Sequence, residues 1–494
     1  MRLQQALPIG LAAVAAANPL GKRAAIDDCL KAANVPVDTP NSSEWKNDVN
    51  PFNQRLPYTP VAIAVPTTTD HIAAAVSCAV KVGVKVNPKS GGHSYASFGL
   101  GGENGHLVVE LDRMNKVTVD SSTQIATVQA GARLGHVATV LYNNGKRAFS
   151  HGTCPGVGVG GHSLHGGFGF SSHTHGLAVD WIVGATVVLA NGTVVDTSET
   201  QHPDLFWALR GAGSNFGIVS TFKFKTFAAP STVTAYQVNL PWNSASSIAS
   251  GWGALQDWLS SGGMPAEMNM RVFGSGSQTQ LQGLYHGSSG DLRSAIQPLL
   301  SKLSASLSNS QQYDWMGAFT YYTYGGTVDV THPYSSVETF YSKSLVTTAL
   351  PSKALNAVSQ YWASQARSNS RNWFIIIDLY GGKTSAVTKQ AVNSSAFAYR
   401  DPSYLFLYEL YDRVNYGSYP SNGFSFLDGW VKSFTDNLST SQWGMYINYA
   451  DPTMNRTYAQ QVYYRQSLPR LQQLKAELDP NEVFYYPQAI TPAK

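Results

Sequence analysis

The spacing of apolar positions changes character near Pro230 of this 494-residue chain. Before it, from Val61 to about Phe227, helical and strand periods alternate. Ile72, Ala75, Val76 and Val80 recur at helical spacing and predict a helix over Thr69 to Val82. Leu107 to Leu111 and Gln124 to Ala130 predict strands. Two β-rich runs flank Ala190-Asn191-Gly192, a hairpin-turn signal, so Trp181 to Val195 reads as a hairpin. Pro203 to Leu209 is a short helix with proline in its first turn and Gly211 behind it. Ile218, Ser220, Phe222 and Phe224 alternate with polar residues, which predicts an edge-facing strand. After Pro230, residues from about Thr232 to Trp443 are rich in Ser, Tyr and Trp. Here Trp373 to Tyr380 and Tyr404 to Tyr411 are nearly continuous apolar strands, and the stretch reads as a separate α+β domain. Arg465 to Leu478 is helical, and no internal repeat or low-complexity segment is present.

Composition narrows the function classes. Hydrophobic content of 43% is globular, and the net charge of +4 with scattered Lys and Arg gives no nucleic-acid footprint. Arg2 followed by the short apolar run Ala6 to Ala17 reads as a secretory signal, too short to span a membrane. Lys22-Arg23 reads as a dibasic processing site, which places the mature start near Ala24. Sequons at Asn41, Asn191, Asn393, Asn437 and Asn455 are compatible with a secreted, extracellular protein.

Two distant loops offer candidate chemistry. Pro88-Lys89-Ser90-Gly91-Gly92-His93-Ser94-Tyr95 and Ser150-His151-Gly152-Thr153-Cys154-Pro155-Gly156-Val157-Gly158-Val159-Gly160-Gly161-His162 each frame one nucleophile with glycines. Glycines let backbone approach a flat or charged ligand closely. Gly156, Gly158 and Gly161 also match the dinucleotide spacing G-x-G-x-x-G, with Asp180 near the position of a ribose-binding acid. Thr153-Cys154-Pro155 breaks the strand that fingerprint needs, so the match is set aside. The histidines His151, His162, His165, His173 and His175 show no helical i,i+4 pair or CxxC, so no metal is assigned.

The His93 and Cys154 segments, in this order, resemble the flavin-attachment segments of the berberine-bridge-like branch of the vanillyl-alcohol-oxidase superfamily. The resemblance implies an α+β, two-domain FAD-binding (PCMH-type) fold with a separate substrate domain built on an antiparallel sheet. It implies FAD held bicovalently, by His93 at the 8α-methyl and by Cys154 at C6. It also implies a cofactor site of Lys89, Ser90, Gly91, Gly92, Ser94, Val157, Gly158, Gly160, Gly161, His162, Gly217, Ile218, Val219 and Tyr486. The boundaries expected are 1–23 for signal and pro-segment, 24–228 for the FAD domain, 229–445 for the substrate domain, and 446–494 for a segment returning to the FAD domain. With Cys154 consumed by flavin, Cys29 and Cys78 remain as a disulfide pair in an oxidising compartment.

Gly101-Gly102-Glu103-Asn104-Gly105-His106, Glu110-Leu111-Asp112-Arg113-Met114 and Asn448-Tyr449-Ala450-Asp451 resemble the fungal oligosaccharide oxidases, over nearly the whole mature chain. That resemblance implies oxidation of the reducing-end C1 hydroxyl to a lactone, with O2 reduced to H2O2, and a monomer without nucleic-acid or membrane partners. Tyr449 is then the base. A free phenol near pKa 10 is a poor base at neutral pH and needs an acceptor for its hydrogen. Asp378, alone in an apolar strand, is expected to be that acceptor. Tyr95 and Thr153 are expected at the sugar site. Tyr322 and Tyr324 either stack on sugar rings or pack in the core. Arg271 matches the gluco type. Trp373-Phe374-Ile375-Ile376 replaces the Trp-Trp-x-Gln of relatives, so Ile376 puts an alkyl group where a sugar hydroxymethyl would find a polar one. Xylo-oligosaccharides are therefore favoured. The alternatives are a cello-, gluco- or chito-oligosaccharide oxidase, or a berberine-bridge-like oxidase or dehydrogenase of a non-sugar alcohol.

Overall fold

The computed structural model describes residues 19–323, 326–331 and 336–494. The apolar run Ala6 to Ala17 of the expected signal and Tyr324 lie outside the described residues, whereas Lys22-Arg23 falls within the helix Pro19–Ala32. Among the described residues the chain forms three larger sheets and a two-stranded pair of Phe227–Ala228 with Arg147–Ala148. The first is mixed, in the order Val37–Asp38, Ala62–Ala64, Leu107–Glu110, Val86–Lys89, and its last three strands are parallel. The second is antiparallel, in the order Val117–Val119, Ile125–Gln129, Ile218–Lys225, Ile182–Val188, Val194–Thr197. Together with their helices these two sheets form the N-terminal half.

The helix over Thr69–Val82 forms where its apolar spacing places it. The Thr68 side chain caps its start by accepting from His71 N, and Gly83 ends it at φ 71°. Ile72, Ala75 and Val76 are fully buried, but Val80, read as part of the same stripe, is 49% exposed. Cys29 and Cys78 form a disulfide that ties this helix to the helix Pro19–Ala32. The latter runs through Cys29.

Strand Ile218–Lys225 corrects one expectation. It is the central strand of its sheet, paired on both sides, and not an edge. Its alternation of buried Phe222 and Phe224 with exposed Lys223 and Lys225 reports one solvated face. A face pattern carries no information about neighbours. The helix from Pro203 extends to Ala212 across a break at Gly211, φ 145°. There a Cβ would stand 2.2 Å from Phe397 N, so only glycine fits.

The third sheet has eight antiparallel strands: Leu307–Tyr313, Val233–Asn239, Thr279–Tyr285, Met268–Ser275, Asn372–Leu379, Tyr404–Val414, Thr339–Thr348 and Trp443–Gly444. One face packs on helices Ala245–Ser261, Ser352–Tyr361 and Ser421–Thr435, with Trp252, Trp362 and Trp430 fully buried among them. Trp373, Ile375 and Ile377 point into that layer. The alternate positions Phe374, Ile376 and Asp378 point the other way. The C-terminal segment returns to the first sheet. Val86 N donates to Val483 O, and buried Lys475 donates to Asp479, to Asn215 O and to Phe484 O.

Candidate active site

A cavity of about 460 Å³ lies between the two glycine-rich loops and the free face of the eight-stranded sheet. His93 and Cys154 both line it. So do Lys89, Ser90, Gly91, Gly92, Ser94, Val157, Gly158, Gly160, Gly161, His162, Gly217, Val219 and Tyr486. Ile218 does not: its side chain is buried in the core, because it points opposite to Gly217 and Val219. Lys89 contributes its stem to the wall, while its ammonium is committed to Glu110 in a buried ion pair.

The loops are stitched to one another. Ser90 Oγ donates to Ala130 O at 2.5 Å and accepts from Gly160 N at 3.3 Å. Gly91 and Gly158 pass in direct contact, and a Cβ on Gly91 would lie 2.2 Å from Gly158 N. Arg133 Nη1 donates to Gly91 O at 3.0 Å and to Gly156 O. Burial drives the His93 imidazole down to about 3, with the Arg133 charge acting in the same direction, so His93 is neutral at neutral pH. Burial raises the Cys154 thiol, while the amides of Gly156 and Val157 and then Arg133 pull it down. The other loop histidines brace backbone: His162 Nε2 accepts from Gly152 N at 3.0 Å, and His165 bonds Gly161 O and Ser214 Oγ. No metal-binding cluster occurs among the described residues. Asp180, the acid of the rejected dinucleotide match, pairs with buried Arg400 and accepts from Leu177 N.

The opposite wall is a patch of the large sheet. Phe374, Ile376 and Asp378 line the cavity, as do Glu409, Tyr411 and Arg271. Strand register sets Ile376 against Glu409, Phe374 against Tyr411, and Asp378 against Arg271. Arg271 is held by Gln282 Oε1, at 3.1 Å from Nε and 3.0 Å from Nη2, and lies 4.6 Å over the Phe170 ring. Two buried carboxyls share its charge. Burial pushes Asp378 up to about 7, with Arg271 opposing and Glu409 adding to the rise. Burial pushes Glu409 up to about 7, opposed by a hydrogen bond from Tyr95 and by Arg271.

Tyr449 enters from the C-terminal segment, on the turn Ile447–Tyr449. Burial raises its phenol well above the tyrosine range, and the charges of Glu409 and then Asp378 add to that. Asp378, the expected acceptor, and Glu409 both act on Tyr449 here through their charge. Tyr95 and Thr153 line the cavity. Tyr322 does not. It lies behind the wall, with Phe170 at 4.3 Å between ring centroids, and its hydroxyl donates to Gly283 O at 2.9 Å. This is the core-packing alternative of the sequence reading.

Glu409 and Arg133 are the residues that sequence reasoning missed. Glu409 carried the same signal as Asp378, a lone acid in the apolar run Tyr404 to Tyr411. Arg133, in Gly131-Ala132-Arg133-Leu134, carried none.

The donor set suits a flavin: two nucleophiles of different type open into one cavity. Gly161 adds open space, since a Cβ there would meet nothing within 4 Å. Comparison with known proteins agrees. A model described as "FAD binding domain" matches residues 60–198, and one described as "Berberine and berberine like" matches 445–491. A xylooligosaccharide oxidase of Thermothelomyces thermophilus is 65% identical over 494 residues, covering 99% of each chain. The solved structure of the xylooligosaccharide oxidase from Myceliophthora thermophila C1 in complex with xylobiose superposes with a TM-score of 0.94 at 66% identity, over 95% of this chain and all of that one. A structure of the Acremonium strictum glucooligosaccharide oxidase, reported with 6-S-cysteinyl, 8α-N1-histidyl FAD, has a TM-score of 0.92 at 43% identity, over 95% of this chain and 99% of that one.

Proposed function

The chain belongs to the fungal FAD-dependent oligosaccharide oxidases of the berberine-bridge-like group, and from that premise we propose that it oxidises the reducing-end C1 hydroxyl of xylo-oligosaccharides to the lactone with reduction of O2 to H2O2. The observation that carries this reading is the shared cavity. His93 and Cys154 stand on one wall, and Tyr449, Asp378, Glu409 and Arg271 on the other.

His93 and Cys154 would hold FAD by two covalent bonds, and FAD so held would supply the hydride acceptor for C1. Tyr449 Oη takes the proton of the C1 hydroxyl as its own phenolic hydrogen passes to the carboxylate of Asp378. Asp378 and Glu409 are both buried beside it, and the Arg271 charge opposes the rise that burial gives each carboxyl, which favours their ionised forms. Thr153 and Tyr95 hold the sugar ring. Ile376 offers no hydrogen-bond partner to a hydroxymethyl group. A pentose therefore fits without leaving a hydroxyl unsatisfied, which would cost about 1–3 kcal/mol. The Cys29–Cys78 bridge and the sequons support secretion, and the chain is read as a monomer with FAD-binding residues 24–228, substrate-binding residues 229–445 and returning residues 446–494.

H2O2 release is to be measured across xylose, glucose, lactose, N-acetylglucosamine and their oligomers. Release with xylobiose, matched by aldonic acid, supports the reading. Release confined to non-sugar alcohols contradicts it.

A further inference from the structure

Between the two attachment loops lies a buried cation that the chemistry above does not use. Arg133 is 3% exposed, and its Nη1 bridges Gly91 O and Gly156 O, one carbonyl from each loop. Its own backbone bridges Gly158. Leu134 N donates to Val157 O and Gly135 N to Pro155 O, so the turn after Cys154 is fastened to the segment that carries Arg133. Glu110 and Asp112 balance the guanidinium charge, and Lys89 is already paired with Glu110. Besides Arg133, the charged group that acts on Cys154 is Glu338, which opposes ionisation.

A buried charge this costly needs a return. Arg133 is the charge that favours the thiolate of Cys154, and the same charge favours the neutral form of His93. Both nucleophiles react in those forms. We propose that Arg133 is the maturation residue of this flavoprotein: it holds the two loops in register and promotes the bond from Cys154 to flavin C6. The inference rests on the bicovalent reading above. Forming the thioether replaces the S–H of Cys154 and the C–H at flavin carbon 6 by one C–S bond. The electron pair and two protons released pass to O2, giving H2O2, so the step needs only the oxidant of the proposed activity.

The test uses full-length wild type, Arg133→Met and Arg133→Lys. Proteolysis and mass spectrometry read the flavinylated fraction at Cys154 and at His93 separately. Arg133→Met is expected to keep the His93 adduct and lose at least tenfold at Cys154. Incubating that variant at pH 9.5 in air should add the missing bond over hours, and pH 6 should not, because alkali supplies the thiolate that Arg133 no longer favours. Mere loss of fold would not respond in this way. Arg133→Lys keeps the charge and should hold the Cys154 adduct within threefold of wild type. It also carries the test if Arg133→Met does not fold. A wild-type Cys154 fraction in Arg133→Met, no gain in alkali, or a complete loss in Arg133→Lys would each overturn the assignment. A wild type with neither adduct would overturn the bicovalent reading beneath it.

Discussion

Tyr95 and Tyr449 stack face to face, with ring centroids 5.4 Å apart and planes within 17°. One comes from the His93 loop and the other from the C-terminal segment, so the stack joins the flavin-anchoring loop to the proposed base. Tyr95 then passes the connection on, donating to Glu409 Oε1 at 2.6 Å on the large sheet. Three distant parts of the chain meet in this row. Its length explains why the site needs both the N-terminal half and the eight-stranded sheet.

The covalent anchors give the first prediction. His93→Ala or Cys154→Ala alone should leave one bond, and the protein should stay yellow after acid precipitation. The double variant should release its FAD into the supernatant. Free flavin from acid-treated wild type would contradict the attachment.

The second concerns pH. Burial lifts Asp378 and Glu409 to about 7, and the proposed chemistry uses them ionised. A raised acid is protonated as pH falls through its raised value. Flavin reduction should therefore slow below about pH 7, whereas an ordinary carboxylate would sustain it to about pH 4. The carboxyls interact, so the limb belongs to the pair. Single-turnover reduction from pH 5 to 9 reads it, and Asp378→Asn should change its shape. A flat profile down to pH 5 would refute the account.

Sugar choice follows from Ile376. Xylobiose should exceed cellobiose by about tenfold or more in kcat/KM, since 1.36 kcal/mol is one decade. Ile376→Gln should narrow the gap by giving the hydroxymethyl a partner. Wild-type preference for cellobiose would mean that the alkyl wall does not govern selection.

Support for the Tyr449 turn is the next target. Lys343 donates to Asp451 Oδ2 at 2.5 Å and pairs with Asp428 at 2.7 Å, and Asp451 follows Tyr449 by two positions. The Asp451 side chain is 1% exposed. Lys343→Met leaves that buried carboxylate with hydrogen bonds from Tyr341 and Thr453 but no counter-charge, and should cost about 3–5 kcal/mol of stability, read from denaturant midpoints. A midpoint unchanged from wild type would show that the pair is dispensable.

Much of this was legible in the sequence where local chemistry decides. The glycines around His93 and Cys154, the helix Thr69–Val82 and the strands about Asp378 follow from nearest-neighbour pattern. What escaped depends on long-range pairing. Strand Ile218–Lys225 has an amphipathic face whether it lies at an edge or in the centre. Tyr322 is one tyrosine of 26, and only the packing of Phe170 and Arg271 above it places it behind the wall. Glu409 becomes a site residue only through its register with Ile376 and its bond from Tyr95. Arg133 matters because two loops distant in sequence converge on it.

The central claim is that Tyr449 takes the C1 proton of a sugar bound in this cavity. Anaerobic mixing with xylobiose, followed at the flavin absorbance maximum, tests it most directly. Wild type should bleach in a single turnover. Tyr449→Phe should retain its FAD and bleach at least ~10²-fold more slowly, the scale of general-base catalysis. Near-normal bleaching in Tyr449→Phe would contradict the claim.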